Sequence, residues 1–305
     1  MGSDFFKQTP LDFDIIKQMI KKENVKLDSL GITLVGTLFV PEKDGKLPAV
    51  IMCHGAGDIK ENLFPLAEFL ANKGIVILCV DLHGHGESGG TRSNVIMREW
   101  QADVFSAIRH LENHPRVDKN RIGAFGISSG GTAVLEVAAL GQDLKSLVVL
   151  DATVCNSLPF LMTLFLKILI FIGSIKKFFT GRDLRFPLAK ISGDMHIAAD
   201  PELNQSIQAD PRFKATFNNF PFPGGAEVFF VDTIKRVGNI TAPTLVIWGS
   251  EDKIDPPESG KLLYTSLKCK KDLHIIPGNG HIGHMDTHKD VVFALTLDWF
   301  IFNLL

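Results

Sequence analysis

Short, mainly apolar runs separated by segments of helical period constrain this chain more than any other feature. The runs are AVIMC (49–53), IVILCV (75–80), RIGAFG (121–126), SLVVL (146–150), TLVIW (244–248) and DLHII (272–276). Helical patterns fall around 61–73, 98–112 and 129–140, the last stopping at Gly141. A strand apolar on both sides must be covered on both faces, so this alternation predicts a mainly parallel sheet between two helical layers. ENVKLD and ITLVGTLFV predict an opening antiparallel pair, and an amphipathic helix near 291–302 closes the chain. No internal repeat is present.

The alternation breaks between residues 152 and 237. That interval is rich in proline and carries about half of the chain's 23 phenylalanines. It is expected to be a helical cap inserted after the sixth core strand. The core is then residues 1–151 and 238–305, with an N-terminal segment packed against it.

The 305 residues supply enough apolar side chains for one large core, and a net charge of −2 gives nucleic acid no electrostatic reason to bind. Four cysteines without a CxxC pair fit reduced thiols better than a disulfide framework. The opening MGSDFFKQTPLDFDIIKQMI has no basic stretch followed by an apolar one, so no secretory signal is expected and the protein is read as cytoplasmic.

The segment Arg121–Gly131, RIGAFGISSGG, sets two serines side by side between glycines. Gly126-Ile127-Ser128-Ser129-Gly130 has the G-x-S-x-G form of a sharp strand-to-helix turn that holds a nucleophile at its apex. The residues two before and two after the apex must be small. Ser128 has Gly126 and Gly130 there, whereas Ser129 would have Ile127 and Gly131, and Ile127 would clash. Ser128 is therefore the candidate. Ser129 falls at the helix start, where its unpaired N–H can face a reacting carbonyl. A serine hydroxyl needs a base, and the base an orienting acid, each just past a strand in the order Ser, Asp or Glu, His. After TLVIW comes Gly249-Ser250-Glu251-Asp252-Lys253-Ile254-Asp255-Pro256, and after DLHII comes Pro277-Gly278-Asn279-Gly280-His281. Asp252 or a near neighbour fits the acid, and His281 the base.

Together with His54-Gly55-Ala56-Gly57 and DLHGHGES (81–88), these motifs make nearly the whole chain resemble the α/β-hydrolase superfamily. The resemblance implies an α/β-hydrolase fold and a Ser128–His281–Asp252 triad. It favours Asp252 over Asp255, with Asp151 a weaker alternative. It also implies an oxyanion hole from the N–H groups of Ala56 and Ser129, no cofactor and no metal. The Phe-rich cap and ADPRF (209–213) resemble lysophospholipases and monoacylglycerol lipases, which implies a small-molecule ester of a medium or long acyl chain. RVDKNRIGAFGISSGG is similar to dienelactone hydrolases and prolyl oligopeptidases as well. Thioesterase and peptidase chemistry stay open on the same triad, and so does cofactor-free oxygenase or C–C hydrolase chemistry.

The remaining histidines invite a metal reading. His281, His284 and His288 lack the HExxH form, and His83-Gly84-His85 lacks a following Asp, so neither group is expected to hold one. His54 is expected to brace the oxyanion loop. The apolar run 158–175, LPFLMTLFLKILIFIGSI, just reaches spanning length. A span there would put Ser128 and His281 on opposite sides of a bilayer. The run is read instead as a cap helix or a pair of short helices over the active site, with one face lining an acyl pocket. Its other face either touches a membrane or micelle or is ordinary cap core.

Overall fold

The computed structural model describes residues 19–155, 158–188 and 195–305. The expected N-terminal segment before Met19 lies outside these residues. Eight strands form the main sheet: β1 (Ile20–Ser29), β2 (Ile32–Pro41), β3 (Leu47–Cys53), β4 (Val76–Val80), β5 (Val117–Ile127), β6 (Ser146–Leu150), β9 (Thr244–Gly249) and β10 (Lys271–Ile276). Their order is β1-β2-β4-β3-β5-β6-β9-β10. β2 is antiparallel to β1 and β4, and every other pairing in this sheet is parallel.

The two-residue period of the strands divides the core. Ala49, Ile51, Cys53, Ala124, Leu147 and Val149 face one layer, while Val50, Met52, Phe125, Ile127, Val148 and Leu150 face the other. Helices α2 (Met97–Glu112) and α3 (Ser129–Ala139) cover the first face through residues such as Trp100, Leu111 and Val134. Helix α1 (Phe64–Ala71) and the closing helix α8 (Lys289–Leu304) cover the second through Leu66, Leu70, Phe293 and Phe300. This is the α/β-hydrolase fold. Pro65 at the start of α1 explains why the helical pattern begins as a 3-10 turn at Lys60–Leu63. Gly141, at φ +91°, ends the segment after α3 as expected.

The cap leaves the sheet after β6 and returns at β9. It carries α4 (Phe160–Thr180), α5 (Pro201–Ala209) and α6 (Pro211–Phe217), and also a strand pair, β7 (Leu184–Phe186) with β8 (Phe220–Phe222). The strands are a departure from an all-helical cap. They are three residues each and their β signal is the bulky Phe186, Phe220 and Phe222, which join Leu166 and Leu169 in a small separate core. Asp200 and Asp210 cap α5 and α6, each accepting from first-turn N–H groups ahead of a proline, which gives ADPRF its local meaning. One further core helix, α7 (Pro257–Ser266), lies between β9 and β10.

Candidate active site

β5 runs straight into α3, and Ser128 stands at the junction with φ 51° and ψ −126°. A non-glycine residue in that region is strained and persists only where its surroundings dictate it. The glycines make the turn fit. A Cβ on Gly126 would lie 2.5 Å from the Gly130 carbonyl, and one on Gly130 would lie 2.5 Å from that of Cys53. Ser128 Oγ lies 2.9 Å from His281 Nε2, and His281 Nδ1–H donates to Asp252 Oδ2 at 2.9 Å. Asp252 is buried, and its other oxygen accepts from the N–H groups of Ile254 (2.8 Å) and Asp255 (2.9 Å). The carboxylate is thereby fixed in rotation before the imidazole meets it.

The neighbouring carboxyls are occupied elsewhere. Asp255 Oδ2 accepts from Thr153 Oγ1 at 2.7 Å, and burial pushes its pKa up to about 6. Asp151, at φ 47°, accepts from the N–H of Gly249 at 2.8 Å, and burial followed by the Asp252 charge raises it well above the carboxylate range. Of the three carboxyls, Asp252 is the one bonded to the imidazole. Burial works to lower the His281 pKa, but the Asp252 carboxylate outweighs it, and the net direction is upward.

Ser129 is fully buried and its hydroxyl has no hydrogen-bond partner among the described residues, so its side chain is out of reach of a substrate. Its N–H opens α3 beside Ser128. On the other side the loop after β3 comes close enough that a Cβ on Gly55 would lie 3.0 Å from Ser128 Cβ. His54 braces that loop, donating from Nδ1 to the Gly55 carbonyl (2.7 Å) and accepting at Nε2 from Leu82 N–H (3.0 Å). His85 is a further brace that the sequence did not disclose. Its Nε2 accepts from Gly57 N–H at 3.0 Å while Nδ1–H donates to the His83 carbonyl at 2.9 Å. Burial pushes its pKa down to about 3, which keeps it neutral and able to accept. The signal was present in DLHGHGES, but its target lies 28 residues away.

Asp286 was also missed. It accepts from the N–H groups of Gly280 (2.7 Å), Ala199 (2.7 Å) and Asp200 (3.0 Å), joining the His281 loop to the cap. His284 is buried with both ring nitrogens unpartnered among the described residues, and burial pushes its pKa down to about 4. Among the described residues the group spaced for a cation is Glu61, Asp81 and Glu87, and the Lys60 ammonium already sits among them at 2.7, 2.8 and 2.7 Å.

Above Ser128 and His281 opens a cavity of about 310 Å3. Its cap wall is apolar, with Ile197, Leu203, Ile207, Phe213, Phe217 and Phe220 prominent. Helix α4 contributes no residue to it, which corrects the expectation that this helix lines an acyl pocket. The lining comes from α5, α6 and their flanks because α4 packs outside β7 and β8, one layer further out.

Residues 46–288 match the family model described as serine aminopeptidase, S33. An uncharacterized 31.7 kDa protein in the traX-finO intergenic region of Escherichia coli is 27% identical over 89% of this chain and 96% of its own length. A monoacylglycerol lipase of Mycolicibacterium smegmatis is 22% identical over 90% of this chain and 95% of its own. Among solved structures, DcsB in complex with its substrate analogue superposes with a TM-score of 0.79 at 21% identity, covering 93% of this chain and 99% of that one.

Proposed function

Because the chain belongs to the serine aminopeptidase S33 family of α/β hydrolases, we propose that it hydrolyses carboxylic esters of medium- or long-chain acids through an acyl-enzyme on Ser128. One observation carries the reading: Ser128 Oγ, the His281 imidazole and Asp252 form a continuous hydrogen-bonded relay that opens into an apolar cavity. Ser128 Oγ attacks the ester carbonyl as His281 Nε2 takes its proton. Asp252 holds the Nδ1–H tautomer and stabilises the imidazolium. The N–H groups of Ala56 and Ser129 receive the oxyanion, each such donor being worth about 10²–10³ in rate. His281 then gives the proton to the departing alcohol, and water enters by the reverse sequence to release the acid.

The cavity wall supports the substrate class. Phe213, Phe217 and Phe220 with Ile207 and Leu203 offer a hydrocarbon chain an apolar surface, while Asp58, Asn62, Asp210 and Arg212 line other parts of the same cavity. A monoacylglycerol or a lysophospholipid has the required form, and the lipase relative from M. smegmatis is in keeping with it.

The test is release of p-nitrophenol from acetyl through palmitoyl esters, beside the matched anilides. A maximum at octanoyl or longer, with labelling of Ser128 by a fluorophosphonate, is the expected result. A maximum at acetyl or butyryl removes the lipid assignment and keeps the esterase. Preference for the anilides replaces it with a peptidase.

A further inference from the structure

Helix α4 is an apolar helix turned outward. Of the seventeen large apolar side chains exposed among the described residues, nine lie on it, including Phe160 (77%), Phe178 (83%) and Phe179 (78%). Ordinary cap core would bury such a face. Instead its buried residues are three, Leu166, Leu169 and Gly173. Gly173 lets the helix cross β8 closely, since a Cβ there would lie 2.5 Å from the Phe222 carbonyl.

The angular arrangement is ordered. At about 100° per residue, Leu161, Leu164, Phe171, Ile172, Ile175 and Phe179 fall within about 60° of Ile168. Lys167 falls about 100° to one side of that centre and Lys176 about 80° to the other, so a cation borders each edge of the stripe. Both lysines are exposed. Lys177, on the inner side, is taken by Asp183 at 3.1 Å. Arg182 adds a further cation beyond the helix end, and no Asp or Glu occurs from 152 to 182. An apolar stripe edged by long cationic side chains is the form of a helix that lies in a lipid headgroup layer, with the stems of the lysines in the apolar zone and their ammonium groups at the phosphates. No helix among the described residues is long and apolar enough to cross a membrane. A two-fold pair of copies would bury the same stripe but bring the bordering lysines of both together without a counter-charge.

We propose that α4 docks the protein on an anionic bilayer surface, lying in its plane with the Ile168-centred stripe in the headgroup–acyl boundary. The inner residues Leu166 and Leu169 share a core with Phe220, which lines the cavity, so one layer of side chains separates the lipid from the pocket. This surface goes beyond the hydrolase reading and stands without it.

The test is flotation of the whole chain with vesicles of phosphatidylcholine containing phosphatidylglycerol, and with phosphatidylcholine alone. Wild type is expected to float with the anionic vesicles, and high salt to weaken binding. Lys167→Gln with Lys176→Gln lowers partitioning roughly 20–30-fold, at about fivefold per lysine. Phe178→Ser with Phe179→Ser, both on the surface and harmless to folding, lowers it roughly 30-fold or more. Wild type remaining unbound overturns the proposal. Equal binding to both vesicle types overturns the anionic assignment, and a dimer in gel filtration that Phe178→Ser with Phe179→Ser abolishes reassigns the face to a second copy. Hydrolysis of a soluble butyryl ester, measured on every variant without vesicles, is expected to stay at the wild-type level. Its absence in wild type, together with absence on the octanoyl ester, would count against the hydrolase reading alone.

Discussion

Helices α3 and α4 are both apolar, one starting at the candidate nucleophile and the other packed outside the cap strands, yet they meet opposite surroundings. In α3 ten of eleven residues are buried, with Glu136 among them and bound to Thr233 Oγ1 at 2.6 Å and to Arg236. In α4 three of twenty-one are buried. Apolar composition therefore fixes neither position nor role. α3 is held from every direction because it must present one N–H and one serine in a strained turn, whereas α4 has a packed inner edge and a free outer one. A change on α3 should be felt in chemistry and folding, and a change on the outer face of α4 in neither.

The largest expected effect is at the head of α3. Ser128→Ala should reduce ester turnover about 10⁴–10⁶-fold, whereas Ser129→Ala, which keeps its N–H, should stay within a few-fold. Equal losses in the two would break the assignment of the apex. Asp252→Asn should cost about 10⁴-fold by favouring the wrong tautomer. The pH profile sharpens the same point. The base must be unprotonated and its carboxylate partner raises its pKa, so kcat/KM in wild type should climb through a midpoint above 6.5, the ordinary imidazole value. In Asp252→Asn that midpoint should move down, and a midpoint unmoved would detach Asp252 from His281.

Stability separates the helices next. Gly130→Ala sets a methyl against the Cys53 and His54 carbonyls and should cost about 3 kcal/mol or more, read as a lowered denaturation midpoint. On α4, Leu166→Ala should cost about 2–4 kcal/mol because it empties a packed position, while Phe171→Ser on the outer face should stay within about 0.5 kcal/mol. If Phe171→Ser destabilised as much as Leu166→Ala, the outer face would have an intramolecular partner.

Much of the site was legible because its signals are local. Ser128, Asp252 and His281 each follow an apolar run closed by small residues, and the structure brings them together. All three of Asp151, Asp252 and Asp255 lie just past strands, so strand position alone did not separate them; the family resemblance favoured Asp252, and Asp252 is the carboxylate hydrogen-bonded to His281. His85 and Asp286 were not legible as braces because their targets are backbone groups distant in sequence. The core strands were plain from hydropathy. β7 and β8 were not, because strands of three residues, one of them interrupted by Pro221, leave no period to read. The same hydropathy marked 158–175 as apolar but could not say which side of it would meet protein.

His281 and the cap wall of the cavity are tied to each other as well as to the sheet. His281 N–H donates to the Ile197 carbonyl at 2.7 Å, and Asp286 Oδ2 accepts from Ala199 and Gly280 together. In native-state hydrogen exchange the amides of Ala199, Gly280 and His281 should accordingly open as one cooperative unit with a single protection free energy. Asp286→Asn should lower that protection in all three at once. The lifetime of the base in its working position and the lifetime of this part of the cap wall are then one quantity.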